Sequence, residues 1–146
     1  TSETFKKAKS VDKAILIEAL DPNILDWQQS LQLAANKEDL AIDLLKMLVD
    51  SFATELSEMQ QLIEMEDFPQ LEHVLHRLYG ATRYVGAPTL QQATGGFEQF
   101  VSSLRKERRK ADETFIQETL NHFDELQSVI QQVEQASQQI LNKQNT

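Results

Sequence analysis

PQLEHVLHRLYGATRYVGAP, residues 69–88, reads as a helix that runs into a turn. Leu71, Val74, Leu75, Leu78, Thr82 and Val85 recur at steps of three and four, the spacing of a helix with one buried face. Pro69 suits the first helical position. Gly86-Ala87-Pro88 is a stop. The stretch therefore predicts a helix over 69–85. At roughly 100° per residue, His76 points about 150° away from the centre of the apolar stripe, toward solvent. Gly80 and Arg83 share its outer face at i+4 and i+7, and His73 lies near at i−3. Glycine inside a helix costs about 1 kcal/mol relative to alanine. Gly80 thus suggests that empty space beside His76 is needed.

Helical patterns continue on both sides. A first helix fits 26–35, with Asp26 as N-cap and Leu25, Trp27, Leu31, Leu33 and Ala34 as apolar positions. A second fits 37–66, with a stripe of Leu40, Leu44, Met47, Leu48, Phe52, Leu56, Met59 and Ile63. After 69–85, a fourth helix is expected over 88–110, with Leu90, Ala93, Phe97, Phe100, Val101 and Leu104. A fifth is expected over 112–141, from Phe115 and Ile116 to Ile140. No segment alternates with the period of a strand. Four long helices, a short leading one and short connections predict an all-α, up-and-down four-helix bundle. Residues 1–22 read as a linker or arm with a short apolar patch at 14–20, and 23–146 as the domain. A start at Thr1 without Met suggests a piece of a longer chain.

Composition narrows the function classes. The chain has 146 residues, 40% of them hydrophobic, which suffices for one core. Four Gly and three Pro fit a nearly all-helical chain. There is no cysteine, hence no disulfide framework or thiolate metal site. A net charge of −9 argues against nucleic acid as a partner. No apolar run is long enough to span a bilayer, so no direct membrane insertion is expected. A di-iron bundle would use His73 or His76 facing inward with repeated Glu-x-x-His pairs. His76 faces outward and the repeat is missing, so no metal site is expected.

The string His76-Arg77-Leu78-Tyr79-Gly80-Ala81-Thr82-Arg83-Tyr84-Val85-Gly86-Ala87 resembles the signature of histidine phosphotransfer (HPt) domains. Residues 25–31 (Leu-Asp-Trp-Gln-Gln-Ser-Leu), the turn at 86–88 and Glu98 are similar to the C-terminal HPt domain of BarA/GacS-type hybrid sensor kinases. The resemblance implies that His76 accepts a phosphoryl group from a receiver-domain aspartate and passes it to the aspartate of a response regulator. It implies that Glu98 orients the ring, and that Arg77, Tyr79, Gly80 and Arg83 meet the partner or the phosphate. Lys is common where Tyr79 stands, and Arg77 or Arg83 is the candidate replacement cation. The domain itself would need no cofactor; Mg²⁺ would sit in the receiver. No ATP-binding motif is present, so no kinase activity of its own is expected. The parent would be a hybrid sensor kinase anchored in the inner membrane, with this domain in the cytoplasm. The alternative is a helical interaction or dimerisation module that is never phosphorylated.

Gly95-Gly96, inside the fourth helix, suggests close packing of helices behind the site. Trp27 and Phe97 read as core, and His122 as a boundary residue without a role. The basic run 105–110 reads as a solvated helix end that suits the C-terminal dipole.

Overall fold

A computed structural model of the chain describes Ile17 and residues 19–144. Most of the arm expected over 1–22 lies outside the described residues. Of what is described there, Ile17 and Leu20 are partly buried against the core.

The described residues form five α-helices: α1 (Trp27–Leu33), α2 (Glu38–Glu64), α3 (Phe68–Ala81), α4 (Pro88–Lys106) and α5 (Glu113–Gln144). A 3₁₀ turn, Thr82–Tyr84, continues α3. Each long helix packs on its neighbour in sequence, and α5 returns to α2, so the four close into a bundle. The short α1 packs on α2 across one end. Leu45, Phe52, Met59, Leu71, Leu75, Leu78, Leu90, Phe97, Phe115, Leu126 and Ile130 fill the centre, all fully buried.

The starts of the helices follow local side-chain chemistry. Asp26 accepts from the Gln29 amide at 3.0 Å, Asp67 from the Gln70 amide at 3.2 Å, and Asp112 from the Phe115 amide at 2.9 Å. Each supplies an acceptor for an amide that has no partner within the helix. The stops fall short of the expected 35, 66 and 110. Ala35, Glu66 and Arg108 adopt left-handed backbone, with φ of 55°, 55° and 52°. In each case the next amide reaches back to close the end: Asn36 to Leu31 O, Asp67 to Leu62 O and Arg109 to Leu104 O. These are turns usually made by glycine, so residues with a Cβ concealed the stops.

Two other expectations are corrected. The helix over 69–85 ends at Ala81, where the Thr82 hydroxyl donates to Tyr79 O at 2.6 Å and the backbone tightens to 3₁₀. Val85 is extended, and Ala87, with φ −131° and ψ 74°, is also outside the helical region, as suits the residue before Pro88. On α2, Leu40 and Met47 lie outside the core, with 42% and 69% exposed. Ala41 and Leu45 are buried instead, because the stripe is rotated by one residue at its N-terminal end.

The turn between α3 and α4 is tied to α1. Gly86 O accepts from the Asp26 amide at 2.7 Å, and the Gly86 amide donates to Ser30 Oγ at 2.9 Å. A Cβ on Gly86 would fall 2.3 Å from Asp26 O. Only glycine allows this approach, which fixes how α4 leaves the end of α3. Farther along, the His122 ring of α5 stacks on Phe97 and Phe100 of α4, with centroids 5.4 and 4.8 Å away. Phe100 stacks in turn on Phe115. This aromatic column holds α4, which carries Glu98, against α5.

Candidate functional site

His76 stands near the middle of α3, with its side chain 75% exposed. The core-facing side of that helix is taken by Leu71, Val74, Leu75 and Leu78, so periodicity alone turns the imidazole outward. Across the α3–α4 groove, His76 Nδ1 lies 2.8 Å from Glu98 Oε1. A carboxylate can only accept, so the hydrogen-bonded tautomer carries its proton on Nδ1 and leaves the Nε2 lone pair free. One turn on, a Cβ built on Gly80 would meet no atom within 4 Å. The helix surface one turn on from the imidazole is thus open.

The other residues expected at the site divide into two groups. Arg77 turns toward α2. Its Nε and Nη2 donate to the two oxygens of Glu55 at 3.2 and 3.1 Å, and Nη2 also lies 3.0 Å from Glu58 Oε2. The hydrogen bond and charge of Glu55 hold the guanidinium pKa above its ordinary value; burial opposes them, and Glu58 adds a lesser upward push. Tyr79 turns the other way, onto α4. Its Cε2 would be 3.0 Å from a Cβ on Gly95, so the ring packs closely against that glycine. Arg83 Cζ stands 5.4 Å from the centroid of the same ring. Of the Gly95-Gly96 pair, Gly95 makes the close helix contact and Gly96 faces open space.

Glu55 and Glu58 did not emerge as partners from the sequence. A signal was present in Glu55: it sits on the buried side of α2 between Phe52 and Met59, where a charge needs a partner. An apolar groove between α2 and α3 borders this pair. It is lined by Leu44, Met47, Leu48, Leu78, Ala81 and Tyr84. Met47 and Tyr84 are among the most exposed large apolar side chains of the described residues.

The model of the family described as "Hpt domain" matches residues 43–139, which include His76, Gly80 and Glu98. The chain belongs to the Hpt domain family. HPt domains carry phosphoryl groups on histidine in two-component phosphorelays. This HPt domain is 42% identical over 72 residues to the sensor protein GacS of Pseudomonas syringae pv. syringae, covering 49% of this chain and 8% of that protein. It is 33% identical over 111 residues to the signal transduction histidine-protein kinase BarA of Escherichia coli K12, covering 75% of this chain and 12% of BarA. The chain thus spans about a tenth of the length of these relatives. In structure it is similar to the HPT domain of a hybrid histidine kinase from Shewanella. The TM-score is 0.57 and the identity 30%, over 77% of this chain and 95% of that one.

No helix among the described residues is long and apolar enough to cross a membrane.

Proposed function

We propose that His76 is the phosphoacceptor of this HPt domain, and that it shuttles a phosphoryl group between the aspartates of two receiver domains. The observation that carries the reading is the exposed imidazole whose Nδ1 is engaged by Glu98 at 2.8 Å. Nε2 attacks the phosphorus of a receiver's aspartyl phosphate. The N–P bond forms as the bond to the aspartate oxygen breaks, and that oxygen leaves as a carboxylate. Nδ1 keeps its proton, so the phosphorylated ring is a cation whose charge faces Glu98. On return to another aspartate the ring leaves neutral, and no proton crosses the interface in either direction. The domain contributes an oriented nucleophile; Mg²⁺ in the receiver supplies the charge stabilisation that phosphoryl transfer needs.

Several features support a protein as the partner. The space over Gly80 admits another surface to the ring. The apolar groove of Leu44, Met47 and Tyr84 lies on the α2 side of the same helix and offers contact area for a receiver. The similarity to GacS and BarA supports a receiver in the same parent chain as donor, a separate response regulator as acceptor and a cytoplasmic position beside a membrane-anchored sensor.

Mixing the domain with a ³²P-labelled phospho-receiver tests the assignment. Acid-labile label should appear on the wild type and be lost in His76→Gln. Label that persists in His76→Gln would remove His76 from the reaction.

A further inference from the structure

Three residues after His76 stands Tyr79, so that position brings no cation to the turn after the histidine. The fold compensates in a specific way. Among the described residues around the site, Arg77 is bound by Glu55 and Glu58, and Arg105 is bound by Glu72 at 2.6 Å. Arg83 has no carboxylate partner among the described residues; its contact is the face of the Tyr79 ring. That ring is itself seated, because Gly95 leaves it room to lie against α4 with Cε2 and Cδ2 at 3.0 and 3.3 Å from where a Cβ would be. His76 and Gly80 stand one turn apart on α3, and Arg83 follows in the 3₁₀ turn Thr82–Tyr84 that continues it. Seven residues span about 10 Å of helix. An extended arginine and a phosphorylated imidazole can close that span over Gly80, where nothing intervenes.

We propose that Tyr79 is a positioning residue, a platform seated on Gly95 that holds Arg83 unpaired, and that Arg83 moves from this ring onto the phosphoryl group once His76 is phosphorylated. The proposal rests on His76 as phosphoacceptor. The exchange is favourable because an exposed cation–π contact is weak, whereas a guanidinium engages a phosphoryl group through paired, charge-assisted hydrogen bonds. Lysine at residue 79 would present a point charge directly. Here the charge arrives from the next turn, and it rests on the aromatic ring meanwhile.

The test loads the 146-residue chain with phosphoramidate, which phosphorylates imidazole nitrogen without a receiver and releases ammonia. The ³¹P resonance of His76 is assigned by its loss in His76→Gln and then titrated with pH. A guanidinium beside the phosphoryl group favours the dianion, so Arg83→Gln should raise the ³¹P midpoint by roughly one pH unit. Tyr79→Ala removes a contact that competes with the phosphoryl group for Arg83 and should lower the midpoint below that of the wild type, and Tyr79→Phe, which keeps the ring, should match the wild type. The other ionisable groups near the ring, Glu98 at Nδ1 and His73 one turn back, are the same in all variants. Circular dichroism confirms that each variant is folded. An unchanged midpoint in Arg83→Gln overturns the proposal, and a wild-type midpoint in Tyr79→Ala overturns the platform. Neither result touches the relay reading. That reading fails by itself if phosphoramidate loads His76 while phospho-receivers do not, and both fail if His76 takes phosphate from neither donor.

Discussion

Replacing Gly80 by alanine should stabilise the domain and slow its phosphorylation by a receiver at the same time. Gly80 lies in the last turn of α3, and a Cβ there would meet nothing within 4 Å. No clash offsets the helix preference of alanine or its smaller loss of backbone entropy, so Gly80→Ala should add about 0.5–1 kcal/mol. That corresponds to a rise in Tm of about 3 °C for a chain of this size. The effect on transfer has the opposite sign. Residues four apart on a helix have Cβ atoms about 5–6 Å apart, so the new methyl enters the space a receiver must occupy to reach Nε2. Displacing a reacting pair by 1 Å can cost about 100-fold in rate. Alanine should therefore slow transfer from a phospho-receiver by roughly 10-fold, and Gly80→Leu by roughly 100-fold or more. Loading by phosphoramidate, a small donor, should change less than about twofold, since only access for a protein is lost. Urea unfolding gives the first number and single-turnover transfer the second. Undiminished transfer from a phospho-receiver in Gly80→Leu would refute the docking argument. A destabilised Gly80→Ala would refute the view that glycine is held there against helix stability.

Other substitutions probe the supports of the site. Gly86→Ala drives a Cβ into Asp26 O and breaks the two hydrogen bonds from the turn to α1; chemical denaturation should show a loss of about 2–4 kcal/mol, and a loss under 0.5 kcal/mol would mean the turn shifts freely. Glu98→Ala leaves the ring untethered and should slow receiver transfer by roughly 10-fold or more with little change in stability. Glu98→Gln keeps an acceptor for Nδ1 and should retain most of the rate, so equal defects in the two would exclude ring orientation as the cause. Arg77→Ala strands the buried Glu55 and should cost about 1 kcal/mol, a figure lowered by the exposure of Arg77. Its phosphohistidine lifetime should match the wild type, and a shortened one would return Arg77 to the phosphate. Glu66→Gly relieves a left-handed residue at the end of α2 and should raise stability by about 1 kcal/mol; thermal melts that move downward would count against that strain.

The helices were readable because each buries one stripe, and burial leaves a mark every three or four residues. Their ends were less readable. Ala35, Glu66 and Arg108 make the turns that glycine usually makes, and the local hydrogen bonds that close them involve only the backbone. The outward direction of His76 follows from periodicity alone, which is a property of one helix. The pairing of Arg77 with Glu55, of Tyr79 with Gly95 and of Gly86 with Asp26 joins different elements, and no spacing within one helix encodes such a contact. Glu98 differs: it became visible through resemblance to a family, and the 2.8 Å contact gives it a physical partner.

The stacked rings between α4 and α5 have a consequence for the flow of information. His76 and Glu98 stand on adjacent helices, and the second of these is held by Phe97, His122, Phe100 and Phe115. In the proposed relay, a ring and carboxylate held this way would meet the donor and the acceptor aspartate with the same geometry. Traffic in that relay would run toward whichever aspartate is emptier and more abundant, so the receivers would set the direction and a strong phosphatase at one end could drain the whole line.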